Sequence, residues 1–282
     1  MEKEKKSAEA GFTFHLFAVN LLEKLVEAFR GIMTSRLLDF CTRWLSRIGH
    51  IAIIVAAALG FLFSLIVAIK ANSFQAFLLG IAWVLLIFVV QYTANRFLNA
   101  GEALIKNNPT QLSSQAFLDC FGFLALVGGM VILILHIVTA IRAGSLEIFL
   151  LGLGAFAVLE FLALVAFNAG EVNIRIVKGN SAGQEAIGII TFFIKAVMRL
   201  VPIFFGILLV IYTIMLFIAG LRIFGSAAGF AWLHCQYIAK DILSAALIPF
   251  LSYIAFALFY LGIDVIKAIL SIPEKLDKLE KK

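Results

Sequence analysis

The stretch HIAIIVAAALGFLFSLIVAIKANSFQAFLLGIAWVLLIFVVQYTAN, residues 50–95, decides the fold, because it contains two apolar runs separated only by the residues KANS. Each run has about the 20 residues that an α-helix needs to cross the roughly 30 Å hydrocarbon core of a bilayer. Runs of this kind recur along the chain, at approximately 50–69, 74–95, 121–141, 146–167, 200–221 and 245–266. The sequence therefore predicts an all-α polytopic membrane protein with six transmembrane helices.

The composition excludes an ordinary soluble domain. Of the 282 residues, 63% are hydrophobic and 14% are charged, whereas a soluble domain is about half apolar and about one quarter charged. The cysteines Cys41, Cys120 and Cys235 have no spacing that indicates a zinc site or a disulfide framework. The sequence contains no HExxH or Walker A motif. We therefore expect a non-enzymatic protein with no catalytic residue, no metal and no cofactor.

The distribution of basic residues predicts the orientation in the membrane. With six spans, both termini and the segments 96–120 and 168–199 share one side, which holds all but four of the 23 Lys and Arg residues. The exceptions are Lys70, Arg142, Arg222 and Lys240. Because loops rich in Lys and Arg stay in the cytoplasm, we expect both termini there, in a bacterial inner membrane or an equivalent one, or on the matrix or stromal side of an organelle. Dispersed basic residues favour anionic lipid head groups as partners and do not indicate nucleic-acid binding.

Residues 1–49 form a predicted amphipathic helical segment on the cytoplasmic side. Apolar residues recur at three- and four-residue steps from Phe14 to Ile32, and a second, shorter pattern runs from Leu37 to Ile48. This periodicity is typical of helices that lie in the membrane interface with the apolar face down. A helix docked on a partner protein is the alternative.

Two further short helices are predicted at membrane surfaces. A capping-box pattern from Ser181 to Gln184 begins an interfacial helix that leads to Pro202. The aromatic segment 224–241 predicts a helix on the opposite surface. A re-entrant or partner-binding element is the alternative for that segment.

An internal repeat relates the first two pairs of helices. IKANSFQAFLLG (69–80) and IRAGSLEIFLLG (141–152) share seven of twelve residues, and the tetrapeptide NAGE occurs at 99–102 and again at 168–171. A fainter third copy places IAGLRIFGS (218–226) beside VTAIRAGS (138–145). The sequence thus predicts three parallel helical hairpins, at 50–120, 121–199 and 200–282, the last one divergent and ending in a basic tail.

The NAGE copies are interpreted as places where helices leave the membrane. Glu102 precedes Lys106 by four residues, and Glu171 precedes Arg175 by four, an order that stabilises a continuing helix. The outgoing helices are therefore predicted to extend over 74–106, 146–178 and 245–270. Alternatively, the polar residues of the three copies form a ring at a cytoplasmic mouth that attracts cations. Its members are Asn99, Glu102, Asn168, Glu171 and Asp264.

Glu160 is the only acidic residue well inside a predicted span. It lies eight residues before Asn168, as Gln91 lies eight before Asn99, so the repeat predicts both side chains at equal depth. An ionisable group in hydrocarbon is costly and is therefore a functional candidate. Three roles stay open: a protonated carboxyl that bonds a neighbouring helix, proton or cation coupling, and lipid head-group binding. The other members of this candidate intramembrane site are Tyr212, Thr213 and Tyr253.

These patterns favour a non-enzymatic subunit or scaffold of a membrane complex, because the predicted spans carry few polar side chains. Lipids and other membrane proteins would then be its partners. The alternative is a transporter or channel for a cation or small solute, with Glu160 and Gln91 lining the path. A polar cavity that reaches Glu160 would favour transport, and a closed apolar bundle would favour the scaffold.

Overall fold

The computed structural model describes residues 17–177, 181–225 and 228–280, and this part of the chain is almost entirely helical. Seven α-helices and two short strands follow one another in the described residues. In chain order they are α1 (Phe17–Ile32), α2 (Ser35–Lys70), α3 (Phe74–Asn107), β1 (Thr110–Leu112), α4 (Gln115–Ala143), α5 (Leu146–Phe167), β2 (Ile174–Ile176), α6 (Ala182–Leu221) and α7 (Ala228–Glu280). Short 3-10 turns follow α5 at Ala169–Val172 and α6 at Arg222–Phe224.

Six of these helices, α2 to α7, are long and apolar enough to cross a membrane, which confirms the predicted number. Serine side chains begin several of them. Ser73, Ser145 and Ser181 each accept a hydrogen bond from the backbone N–H three residues further on, and Ser181 and Gln184 form the predicted capping box. The α4 helix ends at Gly144, whose φ of 59° is a left-handed conformation that glycine adopts without strain.

Three segments predicted as separate surface helices belong instead to the long helices. The segment from Leu37 to Ile48 is part of α2, and 181–199 lies in α6 except for its capping serine. Of the segment 224–241, the part that begins at Ala228 belongs to α7. Starting a new helix is costly, whereas extending one adds a hydrogen bond for each residue fixed. Amphipathic turns that directly adjoin an apolar run therefore continue its helix.

The first NAGE copy lies within a continuing helix, as predicted. α3 runs through it to Asn107, and Glu102 forms the predicted ion pair with Lys106, with 2.8 Å between Oε1 and Nζ. Gly101 is buried, and a side chain at this position would meet the Met198 side chain of α6. The absence of a side chain therefore lets α6 approach α3 closely at this point.

The prediction for the second NAGE copy is wrong, because α5 ends just before Asn168 and does not continue to residue 178. The Asn168 side chain donates its amide to the Leu164 carbonyl at 2.8 Å, and the chain then enters a 3-10 turn. Arg175 lies in β2, so it does not form the predicted helical pair with Glu171. The stop signal predicted at residues 179 and 180 lies outside the described residues, as does the first part of the N-terminal pattern.

The chain divides into two compact units. The first unit comprises residues 1–38 and 114–171, of which residues 1–16 are not described. In it, α4 and α5 pack along each other. The predicted N-terminal helix is present as α1, and its Val26 and Phe29 pack against Ala125, Leu126, Ala163 and Phe167 of α4 and α5. Arg30 of α1 also forms an ion pair with Asp119 of α4.

The second unit comprises residues 39–113 and 172–282 and has its core among α2, α3, α6 and α7. The backbones of α2 and α6 approach each other closely where Gly49 faces Phe205 and Gly206. A methyl group added to Gly206 would fall on the backbone of Leu45. Fully buried members of this core include Ile53, Ala56, Ile87, Phe205, Leu209 and Ile242.

A small parallel sheet in the second unit joins the segments that follow α3 and α5 in sequence. Thr110 pairs with Ile174 and Leu112 with Ile176. Lys195 of α6 is 0% exposed, and its Nζ donates to the backbone carbonyls of Asn108 at 2.5 Å and Asn173 at 3.1 Å. Because a buried polar group is costly unless it is hydrogen-bonded, these two contacts hold the segments just before both strands against α6.

Candidate functional site

A pocket of about 200 Å³, the arginine pocket, lies in the second unit among α2, α3 and α6. Arg43 and Arg47 are four residues apart on α2, so they project from one face of that helix. Arg199 enters from α6, and the lining contains both polar and apolar side chains. The polar members of the lining are Thr42, Arg43, Ser46, Arg47, Asn99, Glu102 and Arg199, and the apolar members are Phe97, Leu98, Ile105, Met198, Val201 and Pro202, with Gly101 between them.

Arg199 is the buried cation of this pocket, with 8% of its surface exposed. One of its terminal nitrogens donates to Oδ1 of Asp39, and Oδ2 of the same carboxylate accepts from Arg43 at 3.2 Å. The Nε atom of Arg199 is also buried and has no hydrogen-bond partner among the described residues. A buried donor without a partner is costly, so this pocket contains an unsatisfied donor.

The first NAGE copy contributes directly to the pocket, since Asn99 and Glu102 both line it. The other residues of the predicted polar ring do not. Asn168 and Glu171 belong to the first unit, and Asp264 is an exposed residue of α7 that is not part of this lining. Of the ring predicted from the sequence, the structure thus brings Asn99 and Glu102 together.

Asn168 has a different partner within the first unit. Its Nδ2 donates to the Met33 carbonyl at 2.7 Å as well as to the Leu164 carbonyl. Met33 lies just after the end of α1. The second NAGE asparagine therefore connects the end of α5 to the end of α1.

Glu160 lies on α5 in the first unit, where α5 packs against α4. Its Oε1 atom is buried and has no hydrogen-bond partner among the described residues. The space beside this oxygen is left by Gly129 of α4, where an added methyl group would come to 2.9 Å from it. The carboxyl is thus placed in a helix seam beside a glycine.

The other predicted intramembrane residues belong to the second unit. The Thr213 hydroxyl donates to the Ala52 carbonyl at 3.1 Å and so connects α6 to α2. The Tyr253 ring packs edge-on against Phe97, with 5.1 Å between ring centroids. Gln91 is half-buried on α3, and Tyr212 is half-buried beside the core. Thr213 and Tyr253 therefore take part in helix packing.

A second cavity, of about 340 Å³, has a mostly apolar lining from α2, α3, α6 and α7 that includes Phe63, Trp83, Leu216 and Trp232. Glu160 and Gln91 line neither this cavity nor the arginine pocket. No group of three or more His, Cys, Asp or Glu side chains within the described ranges is placed to hold a metal ion.

Sequence reasoning missed Asp39, Lys195 and Arg199. Lys195 and Arg199 are four residues apart near the start of a long apolar helix, which places them on one face. This spacing was a usable signal, because a cation next to an apolar run is costly without a partner. Their partners lie far away in sequence, and no local pattern identifies them.

The six long apolar helices are consistent with a multi-pass integral membrane protein. No protein-family model, curated protein or solved structure matches this chain.

Proposed function

We propose that this chain is a non-enzymatic subunit or scaffold of a membrane complex. The observation that supports this function best is the place of Glu160, whose carboxyl lies in the α4–α5 seam beside Gly129. Glu160 lines neither of the two cavities described above. A transport path would need polar side chains along an accessible cavity, whereas here Thr213 and Tyr253 are used for helix packing.

The proposed arrangement is three helical hairpins that enter and leave the membrane on the same side, with both termini in the cytoplasm. The excess of Lys and Arg in the corresponding segments supports this orientation. On α1, Leu21, Leu22 and Leu25 are exposed, which supports contact of this helix with the lipid interface or with a partner. Exposed apolar side chains along α2 to α7, such as Ile54, Leu85 and Leu135, would face lipid or partner helices.

Two measurements together test this function: co-purification of partner proteins, and ion flux through the isolated chain in liposomes. The full-length chain, isolated from its native membrane in a mild detergent, is expected to retain other membrane proteins in fixed ratio, measured by quantitative mass spectrometry. Reconstituted alone into liposomes, it is expected to conduct protons and monovalent cations no faster than empty liposomes do.

Glu160→Gln distinguishes the transporter alternative, with the exposed Glu23→Gln of α1 as the matched control in the same unit. If wild type conducts and only Glu160→Gln abolishes the flux, the scaffold proposal is wrong and a carboxyl-dependent transporter replaces it. Recovery of the chain without stoichiometric partners would also contradict the scaffold.

A further inference from the structure

We propose that the pocket among α2, α3 and α6 binds a phosphate group, supplied either by an anionic lipid head group or by a free phosphate ion. This inference is independent of the scaffold proposal, since it depends only on the lining of one pocket in the second unit. Three observations carry it: the excess of positive charge, the unsatisfied buried donor, and the mixed polar and apolar lining.

Positive charge exceeds negative charge at this pocket. The lining holds the guanidinium groups of Arg43, Arg47 and Arg199 and the carboxylate of Glu102. Two residues outside the lining pair with these groups, because Asp39 binds Arg43 and Arg199, and Lys106 binds Glu102. Four cations thus face two carboxylates, which leaves an excess of two positive charges, matching a phosphate that carries one or two negative charges.

At least one buried donor at the pocket has no acceptor in the described part of the chain. Arg199 uses a terminal nitrogen for Asp39, while its buried Nε has no partner in the described residues. Arg47 is exposed toward the pocket and forms no ion pair within the described ranges. Planar guanidinium groups bind phosphate oxygens through paired N–H donors, and the Ser46 hydroxyl and Asn99 amide on the same lining add neutral donors.

The apolar part of the lining favours an anion attached to something apolar. Phe97, Met198 and Pro202 border the same pocket as the arginines. A pocket of about 200 Å³ accommodates a phosphate group together with the first atoms of an attached chain. The lining residues of α2, α3 and α6 also adjoin the ends of the predicted spans 50–69, 74–95 and 200–221. This places the pocket near the predicted membrane surface, where lipid head groups lie.

Two probes separate the two sources of phosphate. The full chain in a neutral detergent is titrated with inorganic phosphate, and binding is followed as a shift of the thermal unfolding midpoint, with chloride at equal ionic strength as the reference. The same chain in phosphatidylcholine nanodiscs that contain a minor share of phosphatidic acid is examined by native mass spectrometry, which counts retained anionic lipids.

Arg47→Gln is the test variant, because Arg47 is exposed and its loss leaves the Asp39–Arg199 pair intact. Removing one charge-assisted donor is expected to weaken phosphate or phosphatidic acid binding about tenfold, in line with the strength of hydrogen bonds to charged groups. Arg96→Gln is the matched control, since Arg96 is exposed on α3, stacks over Tyr92 and does not line the pocket. Arg47→Lys keeps the charge without the planar fork and is expected to recover part of the affinity.

Binding of inorganic phosphate that Arg47→Gln weakens and Arg96→Gln does not would support the site with a free ion as its ligand. Specific retention of phosphatidic acid with the same variant pattern, and without response to inorganic phosphate, would support it with a lipid head group. Equal losses in Arg47→Gln and Arg96→Gln would overturn the proposal in favour of diffuse electrostatic attraction. Absence of binding by both probes, with unfolding midpoints of the free variants unchanged, would overturn it as well.

Discussion

At the residue scale, the two NAGE asparagines have the same sequence context and different roles. Asn99 is an exposed residue within α3 that lines the arginine pocket. Asn168 is the cap of α5 and bonds the Met33 carbonyl at the end of α1. A recurring tetrapeptide therefore does not by itself indicate common chemistry.

Asn168→Ala is expected to loosen α1, because it removes the hydrogen bond to the Met33 carbonyl and the cap of α5. A neutral hydrogen bond contributes about 1 kcal/mol to stability, so amide hydrogen exchange in the last turn of α1 is expected to become about five times faster. Asn99→Ala is the control from the other copy. Equal exchange in both variants and in wild type would show that Asn168 does not connect α1 to α5.

The candidate site was only partly predictable at this scale. Asn99 and Glu102 were identified from the repeat, and both line the arginine pocket. The pocket itself was not predicted, because its arginines come from α2 and α6 and meet only in three dimensions. Gln91 and Glu160 were predicted at equal depth, and they belong to different units of the fold. Their depth in a membrane stays a prediction.

At the scale of the helix, α2 and α6 illustrate how small residues permit close packing. Gly49 on α2 faces Phe205 and Gly206 on α6, and the Leu45 backbone fills the space beside Gly206. Glycine pairs of this kind let helix backbones approach in a membrane, where dispersion and packing hold helices together. Arg43 and Arg47 of α2 and Arg199 of α6 line one pocket.

Gly206→Ala is expected to destabilise the second unit by about 1–3 kcal/mol, since the added methyl group must displace the backbone of Leu45. The measurement is the thermal unfolding midpoint in detergent. Gly262→Ala is the control within α7, because no atom lies within 4 Å of the added methyl group there. Alanine in an open helical position is neutral or slightly stabilising, so equal midpoints for the two variants would contradict tight packing at Gly206.

The helices themselves were predicted well from their apolar runs, and their ends less well. An interfacial helix and an extension of a transmembrane helix have the same 3.6-residue period, so the pattern from Leu37 to Ile48 did not distinguish them. The end of α5 depended on the Asn168 side chain, which competes with a further helical turn. The strands β1 and β2 have three residues each, too few for a periodic signal.

At the scale of the whole molecule, the turn between α2 and α3 is predicted to face away from the cytoplasm and the end of α3 to face it. Single cysteines at the exposed positions Ala71 and Asn107, in a chain whose native cysteines are replaced by alanine, test this orientation. In intact cells, a membrane-impermeant maleimide is expected to label Ala71→Cys and to label Asn107→Cys only after permeabilisation. The reverse labelling would invert the proposed topology.

The parallel pairing of β1 with β2 has a consequence for biogenesis. Residues 110–112 leave the ribosome well before their partners at 174–176. Lys195, whose amino group binds the carbonyls beside both strands, is made later still. The ends of this sheet therefore stay open while α4 and α5 are synthesised and inserted. The sheet can form only after β2 has been made, so a nascent chain truncated before β2 would expose β1 as an unpaired strand to quality-control proteases.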